Sequence, residues 1–440
     1  MVTKTLEIEG DLLATLLAED AFLPVEPRTL VETGLPASFV EGMILKSIAT
    51  TGTSSGRNIS EHLCLPFGIL EEVFDSLRTR QLLVHTGAAP FGDYYYTLTD
   101  QGNKHAQNAA KASAYVGPVP VPLMDYVISV DAQSITAESP RRDELEHAFQ
   151  GITIDPELFD MLGPAVNSGA GMFLYGSPGN GKSTLAQRMT SCFGQEIWIP
   201  HAIIEGGQII KLYDPSYHQA VEGRKRGIVK SGEGDRRWIK VRRPTVVVGG
   251  ELTMDSLDIR HDPRTNISEA PLQLKSNGGC LLIDDFGRQQ IAPKELLNRW
   301  IIPLESRHDF LTLGTGKKIQ VPFDQLIIFS TNLEPSELVD EAFMRRIPYK
   351  IEVGDPDERE FEDLFRMYAD EFGCNYDTDA VNYLLETHYR PHARGLRRCH
   401  PRDLMKQIRS YCAYHDLPFE LRNEYIDRVV GTYFAKVLTS

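Results

Sequence analysis

Three short apolar runs, Gly171-Met-Phe-Leu-Tyr175, Cys280-Leu-Leu-Ile283 and Leu326-Ile-Ile-Phe329, are uninterrupted by charge. Such runs mark strands buried on both faces, as in a parallel sheet. A further strand is expected at 196–203 and another at 349–353. Helical periodicity fills the gaps, so residues 141–354 read as an α/β layer with helices on both faces of a parallel sheet. Residues 355–440 read as helices alone, at 357–371, 379–385, 402–414 and 422–434. Toward the other end, 42–50, 59–64 and 69–81 carry amphipathic patterns, with Asn58 and Ser60 as candidate caps for the second. A hairpin of 82–85 with 93–99 and a helix at 100–106 follow. The Gly-Pro-Val-Pro-Val-Pro stretch at 117–122 reads as a stiff extended connector. These patterns divide the chain into an N-terminal segment (1–35), a small helical and hairpin domain (36–112), a Pro-containing linker (113–140), the α/β layer (141–354) and a helical lid (355–440).

Composition adds bounds. The 440 residues are 42% hydrophobic and 24% charged, ordinary for a globular chain of two or three domains. No apolar run approaches the ~20 residues that span a bilayer, so no membrane insertion is expected. The six cysteines lack metal-site or disulfide spacing, and the first residues lack a basic start and apolar core. Both features point to reduced thiols and a cytoplasmic location. A net charge of −15 argues against broad adhesion to nucleic acid.

The strongest chemical signal is Gly176-Ser177-Pro178-Gly179-Asn180-Gly181-Lys182-Ser183-Thr184, between the first apolar run and a helix-forming stretch at 183–189. Glycine spacing of this kind lets successive backbone N–H groups turn inward around a phosphate at a helix N-terminus. Lys182 then reaches the β- and γ-phosphates and the Ser183 hydroxyl meets Mg²⁺. The run at 280–283 ends in Asp284 and Asp285, which puts carboxylates at the C-terminal edge of a strand, where open α/β sheets place ligands. Asp284 is the second expected Mg²⁺ residue, and Asp285 the group that orients or deprotonates water. The run at 326–329 ends in Ser330-Thr331-Asn332; Asn332 is the candidate contact to the γ-phosphate or its water, or else a cap for the helix near Ser336. Arg345 and Arg346 close a helix, where the dipole favours cations. One of them is a candidate transition-state guanidinium offered to a neighbouring subunit. Arg402, just after Pro401, lies in a helix first turn where the dipole opposes it, so a bound phosphate is its natural partner.

In this order, the five motifs resemble the AAA+ ATPases of the P-loop superfamily, over about 145–435. The resemblance implies ATP with Mg²⁺ and a Walker A loop at 176–184. It also implies a Walker B strand at 281–285, sensor 1 at Asn332, an arginine finger at Arg345 or Arg346, and sensor 2 at Arg402. It further implies a homo-oligomeric ring, hexameric by preference, whose active sites are shared between neighbours. An expected hairpin at 311–321, with Gly314-Thr-Gly-Lys-Lys as its turn, is similar to the hairpin-bearing branch that includes the Clp, Lon, RuvB and MoxR groups. Where these proteins generally carry Glu after the metal-binding Asp, this chain has Asp285. A carboxylate set back by ~1 Å can cost ~10²-fold in rate, so slow hydrolysis is expected.

Two regions bear on the partner. Between 222 and 243 stand Arg224, Lys225, Arg226, Lys230, Arg236, Arg237, Lys240, Arg242 and Arg243, against Glu222, Glu233 and Asp235. This stretch reads either as a solvated hairpin or as a ring-lining loop, with Trp238 and Tyr217 offering aromatic contact. Residues 36–106 resemble a winged helix–turn–helix, yet acids outnumber bases there and the candidate recognition helix opens with Glu71-Glu72. Those acids oppose DNA phosphates and favour docking to protein. The resulting expectation is an ATPase that remodels or assembles a macromolecule, protein rather than nucleic acid. A DNA-associated regulator or helicase loader, and a slowly hydrolysing nucleotide-switched scaffold, are the alternatives.

Overall fold

The computed structural model describes residues 22–137, 140–152, 154–194, 196–221, 234–338 and 341–434. The chain forms two compact units. The first takes in residues up to 139 with 190–281 and 295–326; the second comprises 140–189, 282–294 and 327–440.

The first unit begins with helix Ala37–Thr51, strand Thr53–Ser55, helices Gly56–Leu63 and Phe67–Thr79, hairpin strands Leu83–Ala89 and Asp93–Leu98, and helix Asp100–Ala112. The helices bury Val40, Ile44, Ile48, Leu63, Leu70 and Leu77 in one core. The cap of the second helix is Ser55, whose hydroxyl accepts from the Asn58 N–H at 3.2 Å. Neither Asn58 nor Ser60 caps it: Ser60 is already one turn inside and donates to the Leu65 carbonyl. The stiff extended connector expected at 117–122 is packed into the fold. Val121–Pro122 forms an edge strand beside Ala202–Glu205, and Leu123–Ala132 is a helix that buries Tyr126. Proline lacks a ladder donor but is tolerated at a sheet edge, and the apolar side chains of Val119, Val121 and Leu123 drive the segment inward.

The expected strand 196–203 is two strands, Glu196–Pro200 and Ala202–Glu205, broken where the His201 carbonyl accepts from the Leu212 and Tyr213 N–H groups. Glu196–Pro200 pairs antiparallel with Trp238–Arg242 rather than joining the parallel sheet. Of the basic stretch, Arg224, Lys225, Arg226 and Lys230 lie outside the described residues. The remainder lie on or beside strand Trp238–Arg242, where Arg242 is exposed and the other four side chains are engaged. Arg237 is 3% exposed, paired with Asp235 at 2.7 Å and donating to the Thr33 carbonyl. Arg236 donates to the Leu65 carbonyl, Lys240 pairs with Glu196, and Arg243 donates to the Gln133 and Gly278 carbonyls. Trp238 is buried beside Phe22 and so does not stand free for a threaded chain or a base, and half-buried Tyr217 carries the Lys275 ammonium over its ring. The later hairpin joins His308–Thr312 to Lys318–Pro322.

A five-stranded parallel sheet runs in the order Thr245–Val248, Cys280–Ile283, Leu326–Thr331, Met172–Tyr175, Tyr349–Glu352, flanked by helices. Met172, Phe173, Leu174, Leu281, Leu282 and Ile328 have no exposure, which explains why the runs carry no alternation. In the second unit the lid comprises Glu358–Phe372, Thr378–Leu384, His400–Tyr414 and Asn423–Tyr433, each within two residues of its expected bounds. The Asp357 carboxylate caps the first of these on the Glu360 N–H at 2.7 Å, and Gly373 closes it at φ 69°.

Candidate nucleotide-binding site

The phosphate-loop sequence leaves strand Met172–Tyr175 and enters helix Lys182–Met189. Gly176, Gly179 and Gly181 have φ of 126°, 86° and 86°, backbone that side chains rarely adopt. Space is closed as well: a Cβ on Gly176 would lie 2.7 Å from the Val353 carbonyl oxygen, and one on Gly179 would lie 2.5 Å from Cys399 Sγ.

Around this loop the expected residues converge. Lys182 Nζ donates to the Gly176 and Ser177 carbonyls at 2.8 and 3.0 Å and to Asn332 Oδ1 at 2.8 Å. Burial pushes this ammonium below its usual range, while Asp284 and Asp285 act the other way. Ser183 Oγ donates to Asp284 Oδ2 at 2.7 Å. Asn332 Nδ2 donates to Asp285 Oδ1 at 3.2 Å. Asn332 therefore links Lys182 to Asp285. The Thr331 hydroxyl accepts the Leu333 N–H at 3.2 Å, a turn that precedes helix Pro335–Leu338. Asp285 sits at φ 51°, left-handed backbone that short polar side chains such as Asp and Asn tolerate best. That conformation is a local reason for Asp in place of Glu. The turn is anchored by Phe286, 1% exposed and packed on Phe173 and Phe329, and by Gln289, which donates to the Asp284 carbonyl.

Lys182, Ser183, Asp284, Asp285 and Asn332 border a cavity of about 370 Å³, on the scale of a small-molecule site. Pro178, Thr184, Ser330 and Arg402 line it too. Arg402 Nε is bonded to Asp403 at 3.1 Å. Arg345 and Arg346 follow the short helix Glu341–Met344; Arg345 is exposed, Arg346 half-buried, and neither borders the cavity. A hydroxyl and a carboxylate 2.7 Å apart form the all-oxygen donor pair that suits a hard divalent cation retaining much of its water, so Ser183 and Asp284 fit Mg²⁺.

Sequence reasoning missed the second layer. Asn180, 1% exposed, donates to Asp355 Oδ1 at 2.7 Å, and its Oδ1 accepts from the Arg398 N–H at 3.3 Å. Arg398 itself borders the cavity, as do Ile152, Ile154 and Tyr368. The one signal that could have exposed Arg398 is the density of arginine just before Pro401.

A family model described as a domain of unknown function, DUF8689, matches residues 357–432. No curated protein matches the chain. Among solved structures it is similar to NtrX from Brucella abortus in complex with ATP, at 13% identity and TM-score 0.39, covering 64% of this chain and 58% of that one. It is similar as well to the Thermotoga maritima RuvB Holliday junction branch migration motor, at 15% identity and TM-score 0.35, covering 69% and 71%. The chain thus spans less than two thirds of the length of NtrX, and likenesses this distant leave function to be argued from the site itself.

Proposed function

We propose that the chain is an AAA+ ATPase that binds ATP with Mg²⁺ and hydrolyses it slowly to remodel or assemble a macromolecular partner, protein rather than nucleic acid. The observation that carries this reading is the single bonded network of Lys182, Ser183, Asp284, Asp285 and Asn332, with links of 2.7 to 3.2 Å, at the C-terminal edge of a parallel sheet. Lys182 and the loop amides hold the β- and γ-phosphates. Ser183 and Asp284 hold Mg²⁺, which when bound neutralises charge on the phosphate oxygens. Asp285 accepts the proton of the attacking water, and Asn332 fixes the carboxylate that does so. Arg345 or Arg346 supplies positive charge to a neighbour's site, which makes a homo-oligomeric ring, a hexamer by preference, part of the proposal. Arg402 ties the lid to the terminal phosphate, so its loss on hydrolysis moves the lid. The helix, strand, helix, helix, hairpin order of residues 37–98 supports a winged-helix adaptor that docks the partner. Among the described residues no helix is long and apolar enough to cross a membrane, and the cytoplasm is the proposed location.

The test is steady-state ATP turnover of the full chain, together with light scattering in the presence and absence of a slowly hydrolysed ATP analogue. Turnover that depends on Lys182 and on assembly supports the proposal. Equal turnover by a dilute single subunit defeats it. Assembly with ATP but no turnover favours the nucleotide-switched scaffold, a reading the short side chain of Asp285 supports. Tight binding to duplex DNA at low salt favours the regulator.

A further inference from the structure

The strap that leads into helix His400–Tyr414 carries Arg394, Arg397 and Arg398, and Arg402 follows in the helix. Two strap amides are bonded to the phosphate loop: Cys399 N–H to the Gly179 carbonyl at 2.9 Å and Arg398 N–H to Asn180 Oδ1 at 3.3 Å. The guanidinium groups differ in how they are matched. Arg394 donates to the His388 carbonyl at 2.7 Å and lies 4.3 Å over the Phe434 ring. Arg397 pairs with Asp355, the carboxylate that Asn180 also meets. Arg402 is bonded to Asp403. Arg398 pairs through Nη2 with Glu360 Oε2 at 3.0 Å, its side chain is 14% exposed, and its Nη1 is buried with no hydrogen-bond partner.

A guanidinium cannot discard its proton to relieve this mismatch. Burying donors without an acceptor carries the full desolvation cost of the group. Nη1 has no solvent contact as the cavity stands, so a turn of the guanidinium about Glu360 is what brings it to an acceptor in the cavity that the Arg398 side chain lines. Glu360 holds one edge of the planar fork in place, while the backbone of the same residue is held by Asn180 of the phosphate loop. A cation fixed in that way is matched by the oxygens of a phosphate group.

We infer that Arg398 is a phosphate-binding residue of this site: Glu360 positions the guanidinium and Nη1 donates to a phosphate oxygen of the nucleotide. The inference rests on the nucleotide reading of the cavity and adds to it a residue outside the five motifs. Arg398 then couples phosphate occupancy to two elements at once, the phosphate loop through Asn180 and the first lid helix through Glu360.

The experiment is calorimetric titration of ATP, ADP and adenosine into the full-length chain and into Arg398→Ala, Arg398→Lys and Glu360→Gln. Arg398→Ala is expected to weaken ATP by roughly tenfold to a hundredfold, the range for a hydrogen bond between charged groups, with adenosine affinity unchanged. Arg398→Lys recovers part of the loss, because an ammonium cannot hold Glu360 and phosphate with a rigid fork. Glu360→Gln gives a smaller loss confined to the phosphorylated ligands. ATP affinity unaltered in Arg398→Ala overturns the inference. An equal fall for ATP and adenosine also overturns it, since that is what a merely structural role in the lid produces. A wild-type chain that binds no ATP removes the nucleotide reading itself, a failure visible before any variant is compared.

Discussion

Residues 236–243 and residues 394–402 are both dense in basic side chains, yet the two stretches use them differently. In the first, Arg237 meets a carboxylate and a carbonyl inside the core, Lys240 meets Glu196, and Trp238 is buried against Phe22. In the second, Arg398 keeps one buried nitrogen without an acceptor beside a cavity framed by a glycine-rich loop. Local charge density is therefore a poor guide to a binding surface. What separates the two stretches is that the Arg398 side chain lines a cavity.

The comparison can be broken at its widest point with Arg237→Ala. Removing one partner of a buried pair leaves Asp235 uncompensated, and a loss of about 3–5 kcal/mol is expected in urea unfolding. ATP affinity should stay as in the wild type; a stable variant with weakened nucleotide binding would reverse the assignment of this stretch. Next in size is Lys182→Ala, expected to lower turnover by ~10²–10³-fold, the scale for removing one preorganised donor to developing charge, while the chain stays folded. Retained turnover would show that the loop is a bystander.

A third measurement concerns the lid. Burial depresses His400 from its ordinary value of 6.5 to about 4. The unfolded chain then binds the proton that the folded lid refuses, so stability is full above about pH 6.5 and falls as pH drops toward 4. A loss on the order of 2 kcal/mol across that window is expected, with solvent screening allowed for, and His400→Gln should flatten it. An equally steep profile in the variant would place the effect elsewhere. The smallest effect is expected from Asp285→Glu: up to about a tenfold rise in turnover from extending the carboxylate, accompanied by slight destabilisation at its left-handed φ. Unchanged or reduced turnover would detach slow hydrolysis from the length of this acid.

Much of the nucleotide region was legible in the primary structure because its constraints are local. Glycines at φ of 86° and 126°, a lysine one residue into a helix and acids at the end of a buried strand each leave a fixed spacing. The parallel sheet was legible for the same reason, its strands being apolar on both faces. What escaped was long-range. Nothing near Asn180 announces a bond to Asp355, 175 residues away, and nothing near Arg237 announces the Thr33 carbonyl. The strand expected at 196–203 failed because apolar runs give no information on which partner they pair with, and the linker failed because its prolines were read without the buried valines between them.

The contact between the two glycine positions and their neighbours bears on how such a chain can change over time. Since Gly179 is overlain by Cys399 and Gly176 by the backbone at Val353, the loop and the segment that roofs it are interlocked like ward and key. A bulkier residue at 179 would need a smaller one than Cys399 above it, whereas at 176 the obstacle is main chain and no exchange at 353 removes it.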